Sequence, residues 1–295
     1  MTFLHTLSSF ISDAAASAAS LAKAVILSRR PKKPARILAG RELVVLGNGP
    51  SLRSLLDEHA DFLKGRDLMC VNFAANTPEF KTLAPSHYIL ADPHFFDAVD
   101  KDPNVATLWD NICDVRHPMT LHVPASRRTH PMVCRFLSQG SGRLTSFFNL
   151  TPGEGFLWWR HLLYDLGAAM PRPRNVMIPA IMQSIAAGYR MIYLAGADHT
   201  WSRTLSVDDE NRVVSVQPHF YADNDKERAR VSTEYAGYHL HDILRSLYTA
   251  FASYHTIAAY AAEKGAHIIN ITPGSFIDAF PRLSLTSAVP FKPKP

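Results

Sequence analysis

The chain has 295 residues, 47% of them hydrophobic and 19% charged. That composition belongs to a globular protein with a substantial core and excludes disordered, collagenous and coiled-coil chains. Lys and Arg number 31 against 26 Asp and Glu, but the excess lies at the two ends. Residues 29–36 (RRPKKPAR) hold five basic groups and the tail 284–295 holds Lys292 and Lys294, with no acid in either. Setting those seven aside leaves 24 basic groups against 26 acidic, so the body is near neutral. A nucleic-acid groove, which needs basic side chains clustered across a folded face, is not expected. Basic ends beside an anionic surface are. Cys70, Cys113 and Cys134 are too few and too scattered for a disulfide framework or a zinc cluster, which fits a reducing cytoplasm.

The first element is an apolar stretch, MTFLHTLSSFISDAAASAASLAKAVIL. Asp13 and Lys23 interrupt it and no basic segment precedes it, so neither a membrane span nor a signal peptide is the expectation. Helical spacing places Phe3, Leu4, Leu7, Phe10 and Ile11 on one stripe, which Leu21, Ala24, Val25 and Leu27 prolong. Followed by the basic linker, that stripe suits an anchor lying in the inner-membrane interface. It equally suits a helix packed on the domain or on a partner subunit of a homo-oligomer.

From residue 41 short apolar runs alternate with helical stretches. Strands are expected at 42–47, 67–72, 87–91, 119–123, 191–196 and 266–271, several too apolar to face water on either side. Helices are expected at 178–188, ending at Gly188, and over 239–264, where Leu240, Ile243, Leu244, Leu247, Phe251, Ile257 and Ala258 keep helical spacing. Residues 125–173 are the least regular, and 200–236 form a polar stretch of the kind that serves as a lid. Trp158-Trp159, with Phe156 and Leu157, reads as core or interface. The pattern gives an α/β chain with a Rossmann-like, mostly parallel sheet and helices on both faces. Its parts are an N-terminal amphipathic helix and basic linker (1–40), one catalytic domain (41–283) carrying the lid, and a basic tail (284–295).

Four strand ends carry polar residues. The first runs into Gly47-Asn48-Gly49-Pro50-Ser51, where glycines allow close backbone approach and a helix start offers free N–H groups to a phosphate. The plain alternative is a structural turn with Ser51 as the helix cap. Asn72, Asp92 and Asp198 stand at the ends of three further strands. Any one of them suits a turn, whereas four converging on one sheet edge suit a site. No HExxH and no Cys/His cluster is present, so no metal site is expected.

GNGPSL (47–52), Asn72, ADPHFF (91–96) and AAGYRMIYLAGAD (186–198) resemble the bacterial sialyltransferases of glycosyltransferase family 42. They also resemble the related domain of Maf-type flagellin glycosyltransferases and archaeal hydroxymethyldihydropterin pyrophosphokinases. The likeness covers roughly 41–200 and returns in 255–282 (HTIAAYAAEKGAHIINITPGSFIDAF). It implies a GT-A-like variant of the Rossmann sheet and a CMP-sugar donor held, without a metal cofactor, by Gly47, Asn48, Gly49, Pro50, Ser51, Asn72, Asp92, Gly196 and Asp198. A loosely matching loop adds Asn175, with Arg174 and Val176 beside it. Asp92 departs from the family, which has an amide there. The family's general base is a His in the lid, which transfers to His219 in QPHFYAD, with His199, His239 and His241 as rivals. The tyrosines that hold the leaving phosphate after GxD are missing, because His199-Thr200-Trp201 stand there; Tyr221, Tyr235 or Tyr238 would have to replace them. The implied activity is inverting transfer of an acidic sugar to a glycan or glycolipid acceptor. Two alternatives follow from the same features: an ATP- and Mg²⁺-dependent pyrophosphokinase, favoured by Asp92, and a non-catalytic glycan-assembly protein.

Overall fold

Seven strands form one all-parallel sheet in the order β5-β4-β3-β2-β1-β6-β9. The strands are β1 (Glu42–Leu46), β2 (Asp67–Val71), β3 (His87–Ile89), β4 (Met119–Pro124), β5 (Arg143–Phe148), β6 (Met191–Ala195) and β9 (His267–Asn270). This computed structural model describes residues 2–37, 39–140, 142–215 and 237–285. The expected strands are all present, and the sheet gains β5, which the sequence pattern left in an irregular stretch. Part of the expected lid is a short antiparallel hairpin, β7 (Ser206–Val207) with β8 (Val213–Val214). Residues 216–236 of that stretch, with His219, Tyr221 and Tyr235, lie outside the described residues.

Alternation along the strands explains the two layers of helices. Val44, Leu46, Leu68 and Cys70 join the core under α2 (Ser51–Glu58), α5 (Pro103–Cys113) and α6 (Pro131–Ser138). Leu43, Val45, Met69 and Val71 join the opposite core, under α7 (Leu157–Asp165), α8 (Met177–Ala187) and α9 (Leu240–Glu263). Successive strand side chains point to opposite faces, and both faces are apolar, so both must be covered. Helix α8 is buried on nearly every side and ends on Gly188, whose φ of +95° forms its left-handed cap. Two short helices, α3 (Glu79–Leu83) and α4 (His94–Asp97), follow β2 and β3.

A buried polar chain crosses the sheet. Arg41 holds both oxygens of Asp67, and Asp67 Oδ2 also accepts the Tyr189 hydroxyl at 2.7 Å. His87 Nε2 meets Tyr189 Oη at 2.9 Å, its Nδ1 meets His122 Nε2 at 3.0 Å, and His122 Nδ1 meets Ser146 Oγ. Because Tyr189 spends its proton on Asp67, each histidine must be the neutral Nε2–H tautomer, donating toward Asp67 and accepting from the Ser146 side. Burial pushes His87 down to about 4 and His122 well below the ordinary histidine range. Burial alone would raise Asp67, but the Arg41 and Tyr189 hydrogen bonds outweigh it and hold the carboxylate low.

Helix α1 (Thr2–Leu27) lies on the domain, and the linker after it runs along the sheet edge, where Lys32 exchanges two backbone hydrogen bonds with Phe147 of β5.

Candidate functional site

The sheet reverses its winding between β1 and β6, and in open α/β sheets the crevice beyond the strand carboxyl ends at such a point is where ligands bind. Here the two chains leaving β1 and β6 touch. Gly47 N donates to Ala195 O at 2.7 Å and Gly49 N to Gly196 O at 2.8 Å. A Cβ on Gly47 would sit 2.5 Å from Gly196 O, and one on Gly49 would sit 2.0 Å from Asp198 Oδ2. Gly196 has φ +61° and faces Gly47 O at 2.2 Å from a notional Cβ. The glycines are required here by mutual approach of two backbones.

The sequence offers Ser51 as the helix cap. Instead Pro50 occupies the cap position, Ser51 opens α2, and its hydroxyl donates to Asp198 Oδ2 at 2.7 Å. Asp198 is partly buried, which raises its carboxyl above the ordinary range; the Ser51 hydrogen bonds and the Arg203 charge pull the other way. Asn48 is buried and its Nδ2 donates to Val71 O at 3.1 Å, tying the β1 end to the residue before Asn72. Asn72 adopts φ +50°, a left-handed conformation that asparagine tolerates better than most residues. Its carbonyl accepts the Tyr88 hydroxyl, and its own Oδ1 is buried with no partner among the described residues.

Asn175 stands just before α8, whose N-terminus comes to the same sheet edge because α8 runs back to feed β6. Its Oδ1 accepts from Met177 N at 3.0 Å and from Tyr254 Oη at 2.9 Å. Those donors fix the amide orientation, and Nδ2 is left buried with no partner among the described residues. Tyr254 Oη is also 2.6 Å from His199 Nε2. With the tyrosine proton given to Asn175, His199 must donate, so it too is the Nε2–H tautomer. His199 is buried beside Trp201 at φ +53°, and burial takes its pKa down to about 3. So weak a base in so closed a place holds Tyr254 in position and is poorly suited to remove a proton from an acceptor.

Asp92 follows β3, next to β2 in the sheet, but its side chain is committed elsewhere. It is exposed and Oδ1 accepts from His94 N at 2.8 Å, at the start of α4. An asparagine would accept the same bond, so this turn does not account for a carboxylate where the resembling family has an amide. Thus the sheet order sets Asp92, Asn72, Asn48 and Asp198 side by side, while direct contacts join Gly47, Gly49, Ser51, Gly196 and Asp198. Among the described residues no group of three or more His, Cys, Asp or Glu side chains is clustered as a metal would need. His239 and His241 sit at the start of α9, where the His239 side chain accepts from the backbone and Asp242 reciprocates.

Sequence reasoning missed the turn after β9. Ser275 Oγ donates to Ala197 O at 2.7 Å, Thr272 Oγ1 accepts from Ala197 N at 3.1 Å, and Phe276 N donates to Asp198 O at 2.9 Å. The Arg203 guanidinium lies 4.7 Å from the Phe276 ring centre, close enough to act on Asp198. Beyond this turn an open cleft of about 740 Å³ runs between it and α9, lined by Tyr248, Phe251, His255, Phe276, Asp278 and Arg282. His255 Nε2 is 3.1 Å from Asp278 Oδ1. The signal was the TPGSFID segment, which matched the resembling family as a stretch and offered no residue-level role.

Fold and edge together define a doubly wound α/β domain whose candidate site lies at its switch point. No protein-family model matches the chain, and no curated protein matches it. Among solved structures it is distantly similar to the Maf glycosyltransferase from Magnetospirillum magneticum AMB-1, with a TM-score of 0.47 and 12% identity over 89% of this chain. The chain spans 37% of that protein's length.

Proposed function

We propose that the chain is a glycosyltransferase that moves an acidic sugar of the sialic-acid or nonulosonate type from a CMP donor to a hydroxyl of a surface-glycan or glycolipid acceptor. Two supports carry this reading. One is the motif resemblance at GNGPSL, Asn72 and GAD. The other is the set of groups on the switch-point edge: a carboxylate at Asp198 and two amide atoms, Asn72 Oδ1 and Asn175 Nδ2, without partners among the described residues. Buried polar atoms in that state are rare in folded proteins and suit a ligand that supplies the missing partners.

In the proposed reaction the acceptor oxygen bonds to the anomeric carbon from the face opposite CMP. Its proton passes to a histidine, and the carbon–oxygen bond to the phosphate breaks with both electrons leaving on CMP. Asp198 accepts from a nucleotide hydroxyl and the amides hold the base or the phosphate. A monophosphate leaving group carries less charge than a diphosphate, so neutral donors and helix N-termini can stabilise it without a metal. His219 is the base carried over by resemblance. The His255–Asp278 pair is its rival, since it lines the cleft beside the site and an Asp-oriented imidazole is a common base arrangement.

The test is a thermal-shift series on the full chain with CMP, UMP, GDP and ATP, each with and without Mg²⁺. A ligand at 100 times its Kd adds about 2.7 kcal/mol of stability. Stabilisation by CMP without metal, lost in Asn48→Ala and Asp198→Ala, is the expected result. Stabilisation by ATP only with Mg²⁺ replaces the proposal with the pyrophosphokinase, and no response to any nucleotide replaces it with a non-catalytic protein.

A further inference from the structure

Helix α1 is docked with its polarity reversed. Three of its polar side chains face the domain, while Ser8, Ser9, Ser12 and Asp13 are exposed: Ser20 Oγ accepts from Glu154 N at 2.8 Å, Ser17 Oγ accepts from Phe156 N at 3.1 Å, and Lys23 Nζ lies 3.4 Å from Glu154. The approach is close enough that a Cβ on Gly155 would meet Ser17 Oγ at 2.1 Å. Its large apolar side chains face outward instead, with Phe10, Ile11, Leu21, Ile26 and Leu27 all exposed and Val25 at 74%. A helix on a water-facing domain normally does the opposite.

A second helix extends the same face. Trp158, Leu162 and Leu166 follow one another at i, i+4 and i+8 along α7 and its C-terminal cap and are all exposed, Trp158 at 67%. The sequence suits Trp158 to a core or an interface, and its stripe points away from the core. Phe156 bridges the two helices, its ring 5.2 Å from Phe10 and stacked 6.5 Å from Trp158. The patch is therefore continuous across two elements, more than scattered surface apolar residues produce.

Charge tells what covers it. Arg29, Arg30, Lys32, Lys33 and Arg36 follow α1 directly, all exposed, with no acid among residues 29–36. None of the five is in an ion pair among the described residues. A second copy would bring the same basic stretch against this one, whereas an anionic bilayer satisfies both the apolar plate and the cations.

We infer that α1, the outer stripe of α7 and the 29–36 linker form one surface that binds anionic lipid bilayers. The stretch Thr6–Leu27 is long and apolar enough to cross a membrane, with a mean hydropathy of 1.5. Its hydrogen bonds to 152–156 and the strand-like pairing of Lys32 with Phe147 hold it flat on the domain, which fits a helix lying in the interface. The inference does not rest on the transferase reading.

The test is sedimentation of the full chain with vesicles of phosphatidylcholine alone and of phosphatidylcholine mixed with phosphatidylglycerol. Binding to the mixed vesicles that weakens in high salt is expected. Arg29→Glu with Arg30→Glu should lower partitioning by at least about tenfold. Leu162→Glu, on a different helix and at an exposed position, should weaken it as well, and spin-labelled lipid should quench Trp158. Circular dichroism of both variants checks that the fold is kept. Failure of the wild-type chain to bind mixed vesicles overturns the inference. If light scattering then finds a dimer that Leu162→Glu dissolves, the surface is an interface between copies.

Discussion

Ser51 Oγ lies 2.7 Å from Asp198 Oδ2, joining the first residue of α2 to the loop after β6 across the point where the sheet reverses its winding. The bond favours the charged carboxylate, against the burial that raises its pKa. Under the transferase proposal, Ser51→Ala should therefore move the acid limb of CMP binding to higher pH while leaving binding at alkaline pH close to wild type. Titration calorimetry across pH reads this directly, and an unchanged limb would show that Asp198 does not contact the nucleotide as an anion.

Gly196→Ala should destabilise the chain by at least about 2 kcal/mol more than Gly40→Ala. Both positions have positive φ, which costs a non-glycine residue about 1–2 kcal/mol. At Gly40 a Cβ meets nothing within 4 Å, whereas at Gly196 it meets the Gly47 carbonyl oxygen, a backbone atom that cannot rotate away. Urea unfolding of the two variants gives the difference, and equal losses would mean that the β1 and β6 ends separate at little cost.

The fold was legible where burial on both faces forces continuous apolar strands, as at ELVVL and MIYLA. Strand β5 escaped because RLTSFF lies on the sheet edge, mixes Thr and Ser with Phe, and follows two glycines. The polar strand ends were legible one by one, since each interrupts an apolar run. Their neighbours in the folded site were not: Ser275, Phe276 and Tyr254 are far off in sequence, and only the return of β9 beside β6 brings them to Asp198 and Asn175. Reversed docking of α1 was equally invisible, because a stripe in sequence does not say which way it faces.

Acid should destabilise the protein through its buried histidines. His87 falls to about 4 and His199 to about 3, both below the value near 6.5 of an unfolded chain. Between those limits the unfolded state binds more protons, so stability is full above about pH 6.5 and declines as pH drops toward 4. For His87 alone the loss is on the order of 3 kcal/mol. Thermal unfolding from pH 7.5 to 4.5 measures it. His87→Gln should flatten part of the slope, and a pH-independent midpoint would mean that these rings are hydrated.

Tyr254→Phe isolates the positioning chain that links α9 to the edge of the sheet. The hydroxyl accepts from His199 and donates to Asn175, so its loss strands a buried N–H and leaves Asn175 Oδ1 with Met177 N as its remaining donor. The ring itself, fully buried against Phe280, keeps its packing. A stranded buried donor costs about 1–3 kcal/mol, and that is the expected fall in unfolding free energy. A purely structural role ends there. If Asn175 Nδ2 meets the nucleotide, the loosened amide should also weaken CMP binding at a temperature where the variant is fully folded, with CMP affinity at Asn48→Ala as the reference for a direct contact. Lower stability with unchanged CMP affinity would remove Asn175 from the donor site and leave the chain of hydrogen bonds as a brace for the GAD loop alone.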